Sequence, residues 1–125
     1  MTTEFKDDVD LRLNEDGIHI LYMNTEENRF NPTFIKKIHK ALDKVEEYKK
    51  STCLITISTS QKIWSNGVDL NWIRDNPDHA YTLFQDFVKL VGRLYIFPVP
   101  TIAAINGHAF AGGLMWALGH DYRFM

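Results

Sequence analysis

The sequence predicts a single α/β domain in which short strands alternate with helices. Three observations favour this class. The apolar run at 53–58 has the length of a buried strand, amphipathic helical patterns lie on both sides of it, and two glycine-containing turns each leave a strand and enter a helix. With 125 residues, 45% hydrophobic and 24% charged, the chain is long enough for one core and short for two domains.

A β-hairpin is predicted first. Residues 9–13 alternate between apolar and polar side chains, 16–17 is an Asp-Gly turn, and 18–23 returns as a second strand. A helix follows, with Asn31 as its N-cap and Pro32 at its first position. Its apolar stripe consists of Phe34, Ile35, Ile38, Ala41, Leu42, Val45 and Tyr48.

The remainder of the chain repeats the alternation. The strand at 53–58 leads through a turn into a short helical stretch, and Asn76-Pro77 is a second helix start signal. The helix that follows is expected to end at Pro98, and its wide apolar face indicates burial. A strand at 101–105 then leads into paired glycines and a last helix. Cys53, the only cysteine of the chain, is expected to be a small core residue.

Two turns carry the chemistry of interest. Residues 63–70 are Ile-Trp-Ser-Asn-Gly-Val-Asp-Leu, and residues 106–114 are Asn-Gly-His-Ala-Phe-Ala-Gly-Gly-Leu. Glycine lets the backbone approach a ligand closely, and the first turn of a helix presents N–H groups that have no acceptor within the helix. Each turn alone is as typical of tight strand–helix packing as of oxygen binding. Two such turns can converge on one ligand.

Together with the entry segment Glu27-Asn28-Arg29-Phe30-Asn31-Pro32, these turns resemble the enoyl-CoA hydratase/isomerase family, the crotonases. The order of elements and turns agrees with the family over nearly the whole chain. The resemblance implies a crotonase-like ββα spiral, with residues 1–125 as a single domain corresponding to its N-terminal portion. We expect the domain to be truncated, because family domains continue with further turns of the spiral and with C-terminal helices that build a trimer.

The resemblance also implies a site. Crotonases bind acyl-CoA thioesters and stabilise the thioester enolate with one backbone N–H from each turn, without a cofactor or a metal. Carried over by position, the catalytic donors are the amides of Val68 and Gly112. The substrate-binding positions are expected to be Arg29, Phe30, Gly67, Asp69, Leu70 and Gly113. Since CoA is an anion, nearby cations are further candidates, although such residues are typical of solvated surface: Arg29, Lys36, Lys37, Lys62 and Arg74.

One position departs from the hydratases of the family. They place a glutamate three residues after the second donor, where this chain has Met115, and a thioether cannot transfer a proton. Hydration is therefore not expected. The entry segment and the run His120-Asp121-Tyr122-Arg123 resemble the peroxisomal-type 3,2-enoyl-CoA isomerases of fatty-acid β-oxidation, in which a later glutamate moves a proton from C2 to C4. That glutamate would lie after Met125, so no residue of this sequence occupies its position.

Two alternatives stay open at this point. Decarboxylation and thioester hydrolysis are other crotonase reactions that need the same pair of amides. The second alternative is a catalytically inactive crotonase that serves as a structural subunit of a larger complex. The resemblance implies a trimer-based homo-oligomer, and a hetero-complex is the alternative. Association of one kind or the other is expected because the last residues form an apolar terminus that would expose a patch in a monomer: Phe110, Leu114, Met115, Trp116, Leu118, Tyr122, Phe124 and Met125.

Composition excludes several other classes. The net charge of −2 and the lack of a basic cluster argue against a nucleic-acid partner, and the sequence contains no apolar run of the ~20 residues that a membrane span requires. The resemblance implies a peroxisomal or mitochondrial location, but neither terminus has a targeting pattern.

Several residues have simpler interpretations. His120-Asp121 lacks the further ligands of a metal site, and Ser65 lacks the surroundings of a nucleophilic serine. His108, in the second turn, is expected to pack within the loop instead of acting as a base. The three tryptophans are expected to be core or pocket wall: Trp64, Trp72 and Trp116.

Overall fold

A computed structural model describes residues 4–125 of the chain. The elements, in order, are β1 (Val9–Leu13), β2 (His19–Met23), β3 (Arg29–Phe30), α1 (Pro32–Glu47), β4 (Leu54–Ser58), β5 (Ile63–Ser65), β6 (Gly67–Val68), α2 (Leu70–Asp75), a 3₁₀ turn (Pro77–His79), α3 (Ala80–Tyr95), β7 (Thr101–Ala104), β8 (His108–Ala109), α4 (Gly112–Leu118) and β9 (Tyr122–Phe124). The predicted α/β alternation is therefore confirmed.

The central sheet has five strands in the order β1-β2-β4-β7-β9. The hairpin pair β1–β2 is antiparallel, as expected, and Gly17 in its turn has φ +80°. The other neighbours are parallel. Two small two-stranded sheets, β3-β6 and β5-β8, lie beyond the central sheet and join the segments that hold the predicted site. The carboxyl ends of parallel strands meet at one edge, so the turns that leave β4 and β7 are brought together.

Helix α1 forms as predicted. Asn31 caps it by accepting from the Phe34 amide at 2.9 Å, and Pro32 occupies the first turn. Six of the seven residues in the predicted stripe are buried, and Tyr48 is the C-cap. The stripe packs on the sheet and against α3, so the helix is held by its apolar face.

The core lies between the central sheet and the helices. Trp64 and Trp116 are fully buried, as expected of core residues. Phe30 is also fully buried, with its ring centroid 4.8 Å from that of Phe87 and 5.6 Å from that of Trp116. Burying an aromatic ring of this size contributes about 1.5–3 kcal/mol, so this cluster anchors the entry segment to the core.

The structure corrects three expectations about local features. Cys53 is only half-buried and precedes β4, because the strand begins at Leu54. Asn76-Pro77 starts a 3₁₀ turn, and α3 begins at Ala80. Asn76 does not cap by its side chain, since its Nδ2 donates to the Trp72 carbonyl and closes α2.

The strand β1 departs from the expected alternation. Its first four residues, from Val9 to Arg12, are all half-buried. As the edge strand of the sheet, β1 has only one neighbouring strand, and both of its faces are partly exposed. No helix among residues 4–125 is both long and apolar enough to cross a membrane.

Candidate functional site

The two glycine turns meet directly. Strands β5 and β8 pair in parallel, with Ile63 opposite His108 and Ser65 opposite Ala109. The His108 amide donates to the Lys62 carbonyl at 2.9 Å, and the Phe110 amide donates to the Ser65 carbonyl at 3.0 Å. Backbone hydrogen bonds therefore fix the position of one turn against the other.

The closest approach is between Gly67 and Gly112. Gly67 has φ +86°, and a Cβ atom at this residue would lie 2.7 Å from the Gly112 nitrogen. A Cβ atom on Gly112 would lie 3.2 Å from the Val68 nitrogen. The backbones of the two turns are thus in contact, and the amides of Val68 and Gly112 lie at the same junction. Gly67 is required both by its positive φ and by this contact.

The amides around Val68 already have acceptors. Gly67 donates to Ser65 Oγ at 3.1 Å, and Asp69 donates to the Phe30 carbonyl at 2.9 Å. Because successive amides of an extended strand point to opposite edges, the Val68 amide faces away from β3. Gly112 is the first residue of α4, so its N–H has no acceptor within the helix. Among residues 4–125, no other group accepts a hydrogen bond from this amide.

A cavity of about 400 Å³ opens at this junction. Its lining is largely apolar and comes from both turns and from α3: Asn66, Val68, Leu70, Phe84, Phe87, Val88, Ala111, Gly112 and Met115. None of these described residues has an ionisable side chain. The cavity suits an apolar ligand with one hydrogen-bond-accepting oxygen, and its lining residues cannot themselves transfer a proton.

The structure separates the predicted substrate-binding residues into three groups. Leu70 lines the cavity, and the backbones of Gly67 and Gly113 form the junction behind it. Phe30 is fully buried, so its side chain supports the wall from the core side. Arg29 and Asp69 line a different, polar cavity of about 270 Å³, so their side chains do not enter the apolar cavity beside Val68 and Gly112.

The roles of Arg29 and Asp69 in the structure are local. Arg29 forms an ion pair with Glu27 at 2.7 Å, and Asp69 caps α2 by accepting from the Trp72 amide at 3.0 Å. The pKa of the Glu27 carboxyl is lowered, first by the hydrogen bond from Asn66 and then by Arg29. This charge lies on the polar side of the first turn, where it holds the Asn66 side chain.

Most of the candidate cations are paired with carboxylates. Lys37 lies 2.7 Å from Asp7 Oδ1, and Arg74 lies 3.4 Å from Asp75 Oδ1. Lys36 lines a shallow cavity between α1 and α3. None of the five cations is among the residues that line the apolar cavity. A role for them in CoA binding stays a prediction.

Asn28 is the structural residue that the sequence reasoning missed. It is fully buried with φ +48°, a conformation that asparagine tolerates better than most residues. Its Nδ2 donates to Ser58 Oγ at 2.8 Å and to the Trp64 carbonyl at 2.9 Å. Its Oδ1 accepts from the Thr25 amide at 2.9 Å. The network ties the entry segment to the end of β4 and to the first turn.

The two histidines that were considered as functional groups have other surroundings. His120 is buried and lies 2.8 Å from both the Trp116 carbonyl and Thr56 Oγ1, and burial lowers its pKa to about 4. The Asp121 carboxylate accepts from the Thr101 amide at 2.9 Å. His108 packs on a residue of its own loop, as expected, but it is not buried. It is exposed and stacks on Phe110, because β8 places it on the outer side of the turn.

The expected apolar terminus is exposed with one exception. Trp116 is fully buried, because it faces the core on the inner side of α4. The other members are between 47% and 102% exposed: Phe110, Leu114, Met115, Leu118, Tyr122, Phe124 and Met125. Two of them, Met115 and Leu118, border an apolar groove of about 400 Å³ between α3 and α4.

Comparisons with known proteins agree with this geometry. The family model for enoyl-CoA hydratase/isomerase matches residues 14–125. Enoyl-CoA delta isomerase 3 of Arabidopsis thaliana is 36% identical over 104 residues, which covers 80% of this chain and 44% of that protein. The mitochondrial enoyl-CoA delta isomerase 1 of Rattus norvegicus is 34% identical over 113 residues, which covers 89% of this chain and 39% of that protein.

Solved structures show the same fold. An enoyl-CoA hydratase/isomerase family protein from Pseudomonas syringae superposes with a TM-score of 0.82 at 29% identity, covering 93% of this chain and 49% of that one. An enoyl-CoA hydratase from Bacillus anthracis gives a TM-score of 0.87 at 20% identity, covering 94% and 46%. The fold is therefore crotonase-like, and the chain spans about half the length of these relatives or less.

Proposed function

We propose that this chain, which belongs to the enoyl-CoA hydratase/isomerase family, binds acyl-CoA thioesters and polarises their carbonyl group for the isomerisation of 3-enoyl-CoA to 2-enoyl-CoA. The observation that carries the proposal is the junction of the Val68 and Gly112 amides at one apolar cavity. The names of the relatives at 34–36% identity, which are delta isomerases, support this choice of reaction. The reaction belongs to fatty-acid β-oxidation, and it requires no cofactor.

The two amides would act on the thioester oxygen. When a base removes the proton from C2, the electron pair of that C–H bond forms a C1–C2 double bond. The electron pair of the carbonyl double bond moves onto the oxygen, which becomes the negatively charged oxygen of an enolate. The base then returns the proton to C4, where the electron pair of the C3–C4 double bond forms the new C4–H bond. The C1–C2 pair of the enolate becomes the C2–C3 double bond, and a lone pair of the oxygen restores the carbonyl. A preorganised amide donor contributes roughly 3–4 kcal/mol to such an intermediate, because it need not reorient as charge develops.

Met115 favours isomerisation over hydration. It lies on α4 at the edge of the cavity, and its thioether cannot activate a water molecule. The proton carrier for the complete reaction would come from outside the cavity lining. We propose that a segment equivalent to the second half of the relatives supplies it, in the same chain or in an associated one.

The experiment is a titration with acetoacetyl-CoA, followed by absorbance in the near ultraviolet. This β-keto thioester ionises to an enolate without the aid of an enzyme base, so the assay isolates the contribution of the two amides. Binding to the site should raise the enolate fraction at a pH where the free ligand is mainly the keto form. Binding without any rise in enolate would contradict the proposal. Crotonyl-CoA, which has no acidic proton at C2, serves as the control ligand.

The exposed apolar residues favour one second candidate, a structural subunit. The outer side of α4, with Leu114, Met115 and Leu118, and the whole of β9 are exposed, and surfaces of this kind are typical of association. In that case the chain would form a stable homo-oligomer or hetero-complex, in which other chains cover this surface. A stable complex that fails to raise the enolate fraction of acetoacetyl-CoA would favour this second candidate over the first.

A further inference from the structure

Ser65 is the residue that contacts both turns of the proposed site. It is fully buried at the end of β5, two residues before Gly67. Its hydroxyl accepts from the segment that carries the Val68 amide, and its carbonyl accepts from the segment that carries the Gly112 amide.

The hydroxyl of Ser65 fixes the first turn. Its Oγ accepts from the Gly67 amide at 3.1 Å and donates to the Asn28 carbonyl at 2.8 Å. Asn28 is itself immobilised by its bonds to Ser58 and Trp64. The peptide that precedes the Val68 amide is thus held by a chain of hydrogen bonds that ends in the core. Fully satisfied buried networks of this kind make a local conformation rigid.

The carbonyl of Ser65 fixes the second turn. It accepts from the Phe110 amide at 3.0 Å, two residues before Gly112. Gly113 packs so closely on this carbonyl that a Cβ atom on Gly113 would overlap the Ser65 oxygen. The distance between the two turns is therefore set at Ser65.

We infer that Ser65 is a positioning residue that aligns the Val68 amide with the Gly112 amide. This inference rests on the proposed function, because it assumes that a thioester oxygen lies between the two amides. Loss of the hydroxyl removes the hydrogen bond from the Gly67 amide and leaves the one from the Phe110 amide to the Ser65 carbonyl. The Val68 donor is then misaligned, while the Gly112 donor stays in place. Ser65 does not touch the ligand, and it acts only through the backbone.

The test uses 4-dimethylaminocinnamoyl-CoA, a conjugated thioester whose absorption moves to longer wavelength when its carbonyl oxygen accepts hydrogen bonds. The position of the absorption maximum at saturating protein reports the alignment of the donors, independently of the amount of folded protein. The wild-type chain is compared with Ser65→Ala and with Ser60→Ala. Ser60 is a matched control, since its hydroxyl accepts from the Lys62 and Ile63 amides instead of the Gly67 amide.

We expect a red shift with the wild-type chain and with Ser60→Ala. In Ser65→Ala the shift should fall by about half, with affinity weakened roughly three- to tenfold, the effect of one neutral hydrogen bond. A full red shift in Ser65→Ala would overturn the role of Ser65 and leave the proposed function intact. If the wild-type chain binds the probe without a red shift, the proposed function fails, and the inference fails with it.

A second variant keeps the test decisive if Ser65→Ala does not fold. Ser65→Cys retains a weak donor and acceptor at the same position, so its red shift should be present but smaller than that of the wild type. A cysteine variant that keeps the complete shift would contradict the positioning role.

Discussion

Replacement of Gly67 by alanine is the sharpest perturbation of the junction. Gly67 has φ +86°, and an added Cβ atom would lie 2.7 Å from the Gly112 nitrogen and 3.1 Å from the Gly112 Cα. A left-handed backbone costs a non-glycine residue about 1–2 kcal/mol, and overpacking against backbone costs a further 1–3 kcal/mol or so. We therefore expect Gly67→Ala to lower the free energy of unfolding by roughly 2–5 kcal/mol.

The same methyl group would lie against the Gly112 amide. In whatever fraction of the variant stays folded, the enolate fraction of bound acetoacetyl-CoA should fall strongly, because one donor is blocked and the other is displaced. The assay combines urea unfolding, followed by tryptophan fluorescence, with the acetoacetyl-CoA titration at low urea. Loss of a single oxyanion donor typically lowers a catalysed rate by 10²–10³. A loss of similar free energy in the stabilisation of the bound enolate would change the enolate fraction by far more than the error of the titration.

Two glycines provide matched controls. Gly92 lies in α3 with no heavy atom within 4 Å of an added Cβ, so Gly92→Ala should be neutral or stabilising by about 0.5–1 kcal/mol. At Gly107 an added Cβ would lie 2.8 Å from the Ile63 nitrogen and from the Lys62 oxygen, so Gly107→Ala should destabilise the pairing of β5 and β8 without contacting the Val68 or the Gly112 amide. This reasoning would be refuted if Gly67→Ala had the same free energy of unfolding as the wild type. It would also be refuted if the variant were less stable but raised the enolate fraction of bound acetoacetyl-CoA as much as the wild type does.

Four further predictions follow from the same structure. Asn28→Ala should destabilise the fold by roughly 2–3 kcal/mol in urea unfolding, because the Trp64 carbonyl and the Thr25 amide lose their Asn28 partner. Stability should fall as the pH is lowered from 6.5 to about 4, since burial lowers the pKa of His120 to about 4 and the unfolded chain alone binds the proton. The loss is on the order of 3 kcal/mol, and His120→Gln should flatten part of the slope. Light scattering should show association of the purified chain, and Leu118→Asp should weaken it, because Leu118 is 55% exposed on the apolar groove. Crotonyl-CoA hydration should not be detectable, and substantial turnover would mean that the argument from Met115 is wrong.

The elements with strong local signals were predictable from the sequence. The hairpin and α1 agree with expectation because the Asp-Gly turn, the Asn31 cap and the apolar stripe all act within a few residues. The start of α3 was predicted less accurately, because the Asn76 side chain donates to the Trp72 carbonyl instead of capping the helix that follows. That bond depends on how α2 ends, which a start signal alone does not reveal.

The site was predictable in part. The two turns were identified from their glycines, and the structure brings the backbones of Gly67 and Gly112 into contact. The separation of the Arg29 and Asp69 side chains into another cavity was not predictable, because it depends on the pairing of β3 with β6 and on the turn in which Asp69 caps α2. The role of Asn28 depends on contacts more than thirty residues away in the sequence.

The central claim is that the amides of Val68 and Gly112 donate to one thioester oxygen. Nuclear magnetic resonance of the chain labelled with ¹⁵N-valine and ¹⁵N-glycine, titrated with acetoacetyl-CoA, tests it most directly. Both amide protons should move downfield together at saturation, while those of Val9 and Gly92, which do not line the cavity, stay in place. Saturation of the chain with neither amide shifting, or with only one of them shifting, would contradict the claim.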